Sequence, residues 1–185
     1  MTPLQTAIGL ARKAHAKQRR WSGEPYVTHP LAVLRILQES SQALPVDIYL
    51  AAVLHDVLEE AQDIEEYRSW LTTIKKLCGK DVAAMVQILT KDFGHYRFPR
   101  EVREFRYLDR LSRSADKYPG VLLIKMADRI HNLETLSALP IEKRVEMLFE
   151  TEHLYVPFFF GNVHKVQSDT KAYLQMLKKL RSLVR

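Results

Sequence analysis

Two histidines and two aspartates are the residues of this chain whose types and settings could do chemistry. His55 and Asp56 interrupt the apolar run of residues 48–58, Asp128 lies in a second apolar run, and His29 precedes a proline. An ionised carboxylate is costly to bury unless a cation, a metal or dense hydrogen bonding compensates it. Two imidazoles and two carboxylates form a mixed ligand set suited to Mn²⁺, Fe²⁺, Zn²⁺ or Mg²⁺. We therefore predict a divalent metal site at these four residues.

Each of these residues also has a purely structural alternative. Asp56 could pair with a buried histidine or arginine, and His29 could cap a helix or lie in the core. Asp128 could form an ion pair with Lys125 or with Arg129. Adjacent residues of a helix point to different faces, so Arg129 is the poorer partner. The metal interpretation rests on the combination of the four residues rather than on any one of them.

Two glutamates follow the His-Asp pair at a spacing that matters for hydrolysis. Glu59 comes four residues after His55, and Glu60 comes four residues after Asp56. Residues four apart are neighbours on a helix surface, so both carboxylates are expected to flank the metal-bearing face. A metal lowers the pKa of bound water, and a nearby carboxylate can orient or deprotonate that water. For Glu60 a solvated position at the helix end is the alternative.

Helical periodicity dominates the segments that must position these residues, and no convincing strand alternation or internal repeat is present. The apolar helix after Asp47 and the helix around Asp128 are apolar on nearly all sides, which is typical of buried helices. We predict a single all-α domain covering residues 1–185. The predicted helices span residues 4–19, 30–39, 48–58, 65–77, 81–90, 100–114, 119–136, 140–154 and 163–184.

Composition and charge narrow the function classes. The single cysteine, Cys78, rules out an intramolecular disulfide framework and favours a reducing cytoplasm. No apolar run approaches the length of a membrane span, so no membrane partner is expected. The net charge of +6 suits an anionic partner or simply a basic protein. Because the basic residues are dispersed and no nucleic-acid motif is present, we expect a small charged substrate rather than nucleic acid.

Around these residues the chain resembles a known family. Three segments are similar to the three signatures of HD-domain phosphohydrolases, and more narrowly to the hydrolase domain of RelA/SpoT-type alarmone enzymes. The similarity covers about residues 7–161, and residues 162–185 are expected to form a C-terminal helix. The three segments are Tyr26-x-x-His29-Pro30, Leu54-His55-Asp56-Val57-x-Glu59, and Lys125-x-Ala127-Asp128-Arg129-x-His131-Asn132-Leu133.

The resemblance implies an HD-type helical bundle and a reaction. The reaction is hydrolysis of the 3′-pyrophosphate of ppGpp or pppGpp, usually with Mn²⁺, by a small enzyme without a synthetase domain. Glu59 matches the family's catalytic glutamate, Arg20 would lie near the guanine base, and Asn132 would lie near the nucleoside. The remaining candidates for phosphate contacts are Lys91, Arg129 and Arg144.

Three positions depart from the family pattern. Glu60 stands where an aspartate is usual, Trp21 where a lysine is common, and Glu134 where an arginine is frequent. A carboxylate displaced by about 1 Å can cost on the order of 10²-fold in rate. Trp21 could stack on a base, although a buried anchoring role is the alternative. An HD hydrolase of another nucleotide phosphate, or a metal-bound nucleotide-binding module with little catalysis, therefore remain alternatives.

The other histidines receive no catalytic role from the sequence. His131 belongs to the third segment, yet its offsets from Asp128 and Asn132 assign it no function. The aromatic run at residues 158–160 is expected to be core or contact surface. The histidines predicted to be structural or to lie on the surface are His15, His95, His131, His153 and His164.

Overall fold

The computed structural model describes residues 2–41, 44–91 and 98–185 and is helical throughout. Within these ranges the β-type pairing is one isolated bridge between Arg19 and Pro25, which confirms the all-α prediction. No helix in the described ranges is long and apolar enough to cross a bilayer. The helices are α1 Pro3–Ala14, α2 Thr28–Ser40, α3 Val46–Leu54, α4 Ile64–Cys78, α5 Lys80–Leu89, α6 Arg100–Ser114, α7 Gly120–Glu134, α8 Ile141–Glu150, α9 Val156–Gly161 and α10 Thr170–Leu183.

The two helices predicted to be buried form the centre of the molecule. Helix α3 packs against α1, α2, α5 and α7, while α7 packs mainly against α2 and α10. All residues from Leu50 to Leu54 are buried, as are 11 of the 15 residues of α7. At their crossing, a Cβ atom on Gly120 would lie 2.7 Å from Cγ1 of Ile48. The absence of a side chain at Gly120 therefore allows the close approach of α3 and α7.

The segment that carries the His-Asp pair differs from the prediction. One helix was predicted over residues 48–58, but α3 ends at Leu54 and a 3₁₀ turn follows at Val57–Glu60. His55 Nδ1 lies 2.8 Å from the Ala52 carbonyl oxygen, the acceptor to which the α-helical pattern would assign the amide of Asp56. Such side-chain competition for a helical carbonyl favours the end of a helix. The four-residue spacing therefore does not describe the placement of Glu59 and Glu60.

Two other boundaries shift in ways that affect the site. Helix α1 ends at Ala14 rather than at residue 19, and a turn follows in which the Arg20 amide donates to the Glu24 carbonyl at 2.9 Å. Gly23 in this turn has a φ of 85°, a conformation that favours glycine. The turn carries Arg20 and Trp21, which line the same pocket as the four predicted metal ligands. At the other end of the chain, α10 begins at Thr170 rather than at residue 163.

The long helix predicted from residue 140 is interrupted by a π-helical turn. Helix α8 passes into the turn Thr151–Tyr155 and then into α9. Pro157 lacks the amide hydrogen that a regular helix would use at this point, and such gaps are a known cause of helix distortion. The turn buries the Tyr155 ring, whose hydroxyl donates to Glu104 Oε2 at 2.9 Å.

Candidate metal centre

Three of the predicted ligands converge from three different elements. His29 lies in the first turn of α2, His55 follows α3, and Asp128 lies in the middle of α7. All three are buried, and one ligand atom of each lies within 4.8 Å of the others. His29 Nε2 is 3.1 Å from Asp128 Oδ1, and His55 Nε2 is 3.9 Å from the same oxygen. Tertiary packing thus assembles a cluster from residues about 100 positions apart.

Asp56 completes the cluster beside the two imidazoles. Its Oδ1 lies 3.1 Å from His55 Nε2, and its Oδ2 lies 3.5 Å from His29 Nε2. The Tyr26 hydroxyl donates to Asp56 Oδ2 at 2.8 Å. Burial raises the pKa of Tyr26, so this hydroxyl keeps its proton. Tyr26 therefore orients the carboxylate, a role that its place three residues before His29 had not revealed.

The orientation of His55 fits a cation. A carbonyl only accepts hydrogen bonds, so the contact with Ala52 fixes the His55 proton on Nδ1. The other ring nitrogen, Nε2, then faces the two carboxylates, where a bound cation would take its lone pair in place of a proton. Although Asp56 Oδ1 lies 3.1 Å away, this buried nitrogen is not aligned for a hydrogen bond with any described residue. Two imidazole nitrogens and two carboxylates around one point form a donor set that fits a divalent metal.

The charges of the cluster are strongly coupled. Burial by itself would raise the pKa of Asp56, but His55 and His29 hold it below its usual range. Burial would likewise raise the pKa of Asp128, whereas Lys125 holds it well below its usual range. Burial would lower the pKa of His55, but the two aspartates raise it to about 9. Both acids are therefore ionised at neutral pH, and the centre attracts positive charge.

Asp128 also forms one of the ion pairs that were considered as alternatives to metal binding. Lys125 Nζ lies 2.7 Å from Asp128 Oδ2, so the ion pair with Lys125 is present. The other oxygen, Oδ1, faces His29 and accepts from Asn132 Nδ2 at 2.6 Å. Arg129 turns elsewhere and pairs with Glu150 at 3.0 Å. One oxygen of the Asp128 carboxylate thus faces a buried counter-charge, and the other faces His29 within the cluster.

A pocket of about 650 Å³ opens from the centre to the surface. Its base includes His29, His55, Asp56 and Asp128, and its walls come from α6, α7, α8 and the turn after α1. Basic side chains outnumber acidic ones along the walls, which suits an anionic ligand. The basic residues are Arg19, Arg20, Lys91, Arg100, Lys125, Arg129 and Lys143.

The two glutamates after the His-Asp pair occupy different places. Glu59 lines the pocket, and its Oε1 accepts from the Lys91 amide at 2.8 Å. The Glu59 residue is exposed to solvent within the pocket. Protein atoms nevertheless surround its carboxyl group, and this desolvation, together with the charge of Asp56, raises the pKa of Glu59 to about 7. Glu60 is not among the lining residues and hydrogen-bonds Gln18 instead.

The predicted nucleotide contacts are partly brought together. Arg20 donates to Asn132 Oδ1 at 3.3 Å and to Thr135 Oγ1 at 2.9 Å at the pocket wall. Arg144 does not line the pocket, because its guanidinium donates to the carbonyls of residues 137 and 139. Its neighbour Lys143 lines the pocket in its place.

The structure shows the surroundings of Trp21 and Glu134, two of the residues that depart from the family pattern. Trp21 is 62% exposed at the rim, so the buried anchoring role is wrong. Lys143 Nζ lies 4.8 Å from the centre of the Trp21 ring. Glu134 pairs with Lys179 at 2.7 Å and does not line the pocket, so it adds no negative charge there.

The remaining histidines separate into three groups. His15 is buried, contacts Gln18 Oε1 through Nδ1 at 2.8 Å and packs on the Tyr26 ring. His131 is half-buried and touches the metal centre through His29, a contact that sequence spacing did not predict. His153 and His164 are on the surface, where His153 stacks on Phe149. His95 lies outside the described residues.

Comparison with known proteins points to one family. The sequence matches the HD domain family over residues 7–162. It is 38% identical over 90% of its length to the bifunctional (p)ppGpp synthase/hydrolase SpoT of Escherichia coli K12. It is 34% identical over 83% of its length to a guanosine-3′,5′-bis(diphosphate) 3′-pyrophosphohydrolase of Aquifex aeolicus. The chain matches only 23% and 20% of the lengths of these two relatives.

A solved structure shares the fold. It is described as a metazoan ortholog of SpoT that hydrolyses ppGpp, and it superposes with a TM-score of 0.68. The match covers 99% of this chain and 97% of the other, at 23% sequence identity. The helical arrangement described above is therefore that of a known domain, matched from end to end.

Proposed function

This chain belongs to the HD domain family, and we propose that it is a metal-dependent hydrolase that removes the 3′-pyrophosphate of guanosine alarmones. The products are GDP or GTP and pyrophosphate. The observation that carries this proposal is the convergence of His29, His55, Asp56 and Asp128 at the base of a basic pocket. The activities for which the relatives from E. coli and A. aeolicus are named support the choice of substrate.

The four converging residues are the proposed metal ligands, and Mn²⁺ is the proposed ion. Nitrogen and carboxylate donors together suit Mn²⁺ and its first-row neighbours better than Ca²⁺, which prefers oxygen alone. When bound, such an ion polarises a phosphoryl oxygen and lowers the pKa of a bound water. The buried His55 Nε2, which faces two carboxylates without forming a hydrogen bond to either, is the feature of this chain that most directly supports the assignment.

Glu59 is the proposed general base. Its carboxylate lies in the pocket, and its pKa of about 7 suits acceptance of a proton near neutral pH. In the proposed reaction the water oxygen bonds to the phosphorus attached to the ribose 3′ oxygen, and its proton passes to Glu59. The bond from phosphorus to the 3′ oxygen breaks, Glu59 passes the proton on to that oxygen, and the ribose leaves with a 3′ hydroxyl. Glu60, held by Gln18, is proposed to support this segment from outside the pocket.

The wall of the pocket is proposed to bind the nucleotide. Arg20 and Asn132 would contact the guanosine, with Trp21 available to stack on the base at the rim. Lys91 and Lys143 are the proposed phosphate contacts, Lys143 taking the place expected for Arg144. The proposed setting is one HD domain over residues 1–185, acting in the cytoplasm on a small nucleotide rather than on nucleic acid or a membrane.

Pyrophosphate release from ppGpp in the presence of Mn²⁺ tests this function. We expect turnover by the wild-type protein and its loss in Asp128→Asn, which removes a proposed ligand charge. The control is Asp116→Asn, since Asp116 forms an exposed ion pair with Lys165 far from the pocket lining. Equal turnover in the wild type and in Asp128→Asn would contradict the proposed centre.

A second candidate is an HD hydrolase of another nucleotide phosphate, favoured by the exposed Trp21 at the rim. An aromatic platform stacks on any base, so it does not select guanine by itself. A panel of nucleoside di- and triphosphates and 3′-phosphorylated nucleotides separates the two. Metal-dependent turnover of another nucleotide, with ppGpp inert, would favour the second candidate.

A further inference from the structure

His131 touches the metal centre in a way that constrains the chemistry of His29. Their Nδ1 atoms lie 2.7 Å apart, and their ring centres lie 5.0 Å apart with an angle of 36° between the planes. Two ring nitrogens this close form a hydrogen bond, in which one nitrogen donates and the other accepts. The contact therefore holds one proton between the two rings.

The proposed metal site decides on which ring that proton sits. His29 Nε2 faces Asp128 Oδ1 at 3.1 Å and Asp56 Oδ2 at 3.5 Å. A histidine that binds a metal through Nε2 is neutral and carries its proton on Nδ1. His29 must then donate from Nδ1, and the acceptor is Nδ1 of His131.

We propose that His131 is a positioning residue that fixes the tautomer and the ring orientation of His29. This inference rests on the proposed metal ligation by His29. Helix α7 then contributes twice to one centre, with Asp128 toward the metal and His131 behind a ligand from α2. His55 meets the same requirement differently, because its Nδ1 donates to the Ala52 carbonyl.

The two acceptors, the Ala52 carbonyl oxygen and His131 Nδ1, differ in whether they can always accept a hydrogen bond. A carbonyl oxygen accepts in every state of the protein, whereas His131 accepts through Nδ1 only when its own proton is on Nε2. A side chain with a fixed acceptor at the Nδ1 position should therefore replace His131, and an apolar side chain should not. Asparagine supplies such an oxygen, while leucine leaves the His29 N–H without a partner.

Mn²⁺ titration of the purified full chain tests the proposal. We expect His131→Leu to weaken Mn²⁺ binding by about 10- to 100-fold. His131→Asn is expected to stay within a few-fold of the wild type. His153→Leu is the matched control, since it removes a surface histidine away from the centre. Thermal unfolding of each metal-free variant separates loss of folding from loss of the acceptor.

The tautomer of His29 supplies a readout independent of affinity and of turnover. With Zn²⁺ bound, the ¹⁵N resonances of His29 should show a protonated Nδ1 coupled to His131. A metal-bound His29 with a deprotonated Nδ1, or equal Mn²⁺ affinity in His131→Leu and the wild type, would overturn the proposed role of His131. Either result would leave the proposed metal centre intact. Absence of metal binding by the wild type would overturn the proposed metal centre and this inference with it.

Discussion

Glu59 and Glu60 are adjacent in sequence but meet different surroundings. Glu59 reaches into the pocket, where the Lys91 amide binds its carboxylate. The Gln18 side chain donates to Glu60, and its Oε1 accepts from His15 Nδ1. In this 3₁₀ turn, as in a regular helix, adjacent side chains point in different directions. The pair therefore offers a comparison of one charge at two positions of one short segment.

Glu59→Gln should remove the proposed base while preserving the size of the side chain. We expect turnover of ppGpp to fall by about 10²- to 10⁴-fold, the usual contribution of general-base catalysis. Mn²⁺ affinity should change little, because Glu59 is not a proposed ligand. Glu60→Gln is the control and should lose less than about tenfold in turnover, because Glu60 does not line the pocket. Equal losses in both variants would argue against Glu59 as the base.

Trp21→Ala should weaken nucleotide binding more than it slows the chemical step. Stacking of a base on an aromatic ring contributes about 1–3 kcal/mol, so we expect KM for ppGpp to rise by roughly 5- to 150-fold. Steady-state kinetics with separate kcat and KM values measure this. Lys143→Ala, which removes the cation beside the Trp21 ring, should raise KM less. A fall in kcat with KM unchanged would show that Trp21 acts on the chemical step instead.

The crossing of α3 and α7 sets the distance between the His-Asp pair and Asp128. Gly120 is the first residue of α7 and lies against Ile48 of α3. A methyl group at Gly120 would be too close to the Ile48 side chain. Because α7 carries Asp128 and α3 leads directly into His55 and Asp56, a shift at the crossing would also move the ligand atoms. Stability and metal affinity are therefore linked at this one contact.

Gly120→Ala should destabilise the fold because the new methyl group would lie 2.7 Å from Ile48 Cγ1. Overpacking of this kind costs about 1–3 kcal/mol in the free energy of unfolding. Gly9→Ala in α1 is the matched control, since nothing lies within 4 Å of its added methyl group. Alanine is the better helix former, so that control should gain about 0.5–1 kcal/mol. Urea denaturation measures both, and a stabilised Gly120→Ala would contradict the close crossing.

Metal binding is expected to stabilise the whole molecule, because the ligands come from three separate elements. A ligand that binds only the folded state adds about 2.7 kcal/mol at 100 times its dissociation constant. Mn²⁺ should therefore raise the thermal midpoint of the wild type, and a chelator should reverse the effect. In His55→Ala, which lacks one proposed ligand, we expect little or no increase. The same increase in His55→Ala and the wild type would indicate that Mn²⁺ binds elsewhere.

Glu104 links α6 to two distant parts of the chain. It accepts from Lys91 Nζ at 2.5 Å and from the Tyr155 hydroxyl at 2.9 Å. Burial would raise the pKa of Glu104, but Lys91 and these hydrogen bonds lower it below its ordinary value of 4.5. A carboxyl group with a lowered pKa in the folded state stabilises the protein above pH 4.5, and this stabilisation is lost as the pH falls through the folded-state value.

Glu104→Gln should therefore be less stable than the wild type at neutral pH. The difference in the free energy of unfolding should shrink as the pH falls below 4.5, because the wild-type carboxyl then becomes protonated. Urea denaturation between pH 7 and pH 3 measures this change. Glu101→Gln, an exposed residue of the same helix, is the control. A difference that stays constant with pH would show that packing, rather than charge, explains the effect.

The sequence by itself determined the class of fold and the identity of the cluster. Apolar periodicity on all sides of two helices required burial, and burial made His55, Asp56 and Asp128 conspicuous because charge in a core needs compensation. Both inferences depend on local patterns and on the cost of burying charge, which a sequence displays directly. The same reasoning could not distinguish a metal from Lys125 as the partner of Asp128, and the structure contains that ion pair.

Only the tertiary structure decided the contacts made across long sequence separations. The contact of His131 with His29 depends on how α2 packs against α7, and the exposure of Trp21 depends on the turn after α1. The position of Glu59 beside the Lys91 amide depends on the 3₁₀ turn that follows the end of α3 at Leu54. Packing and competition for single carbonyl groups determine these features, and neither leaves a periodic signal in the sequence.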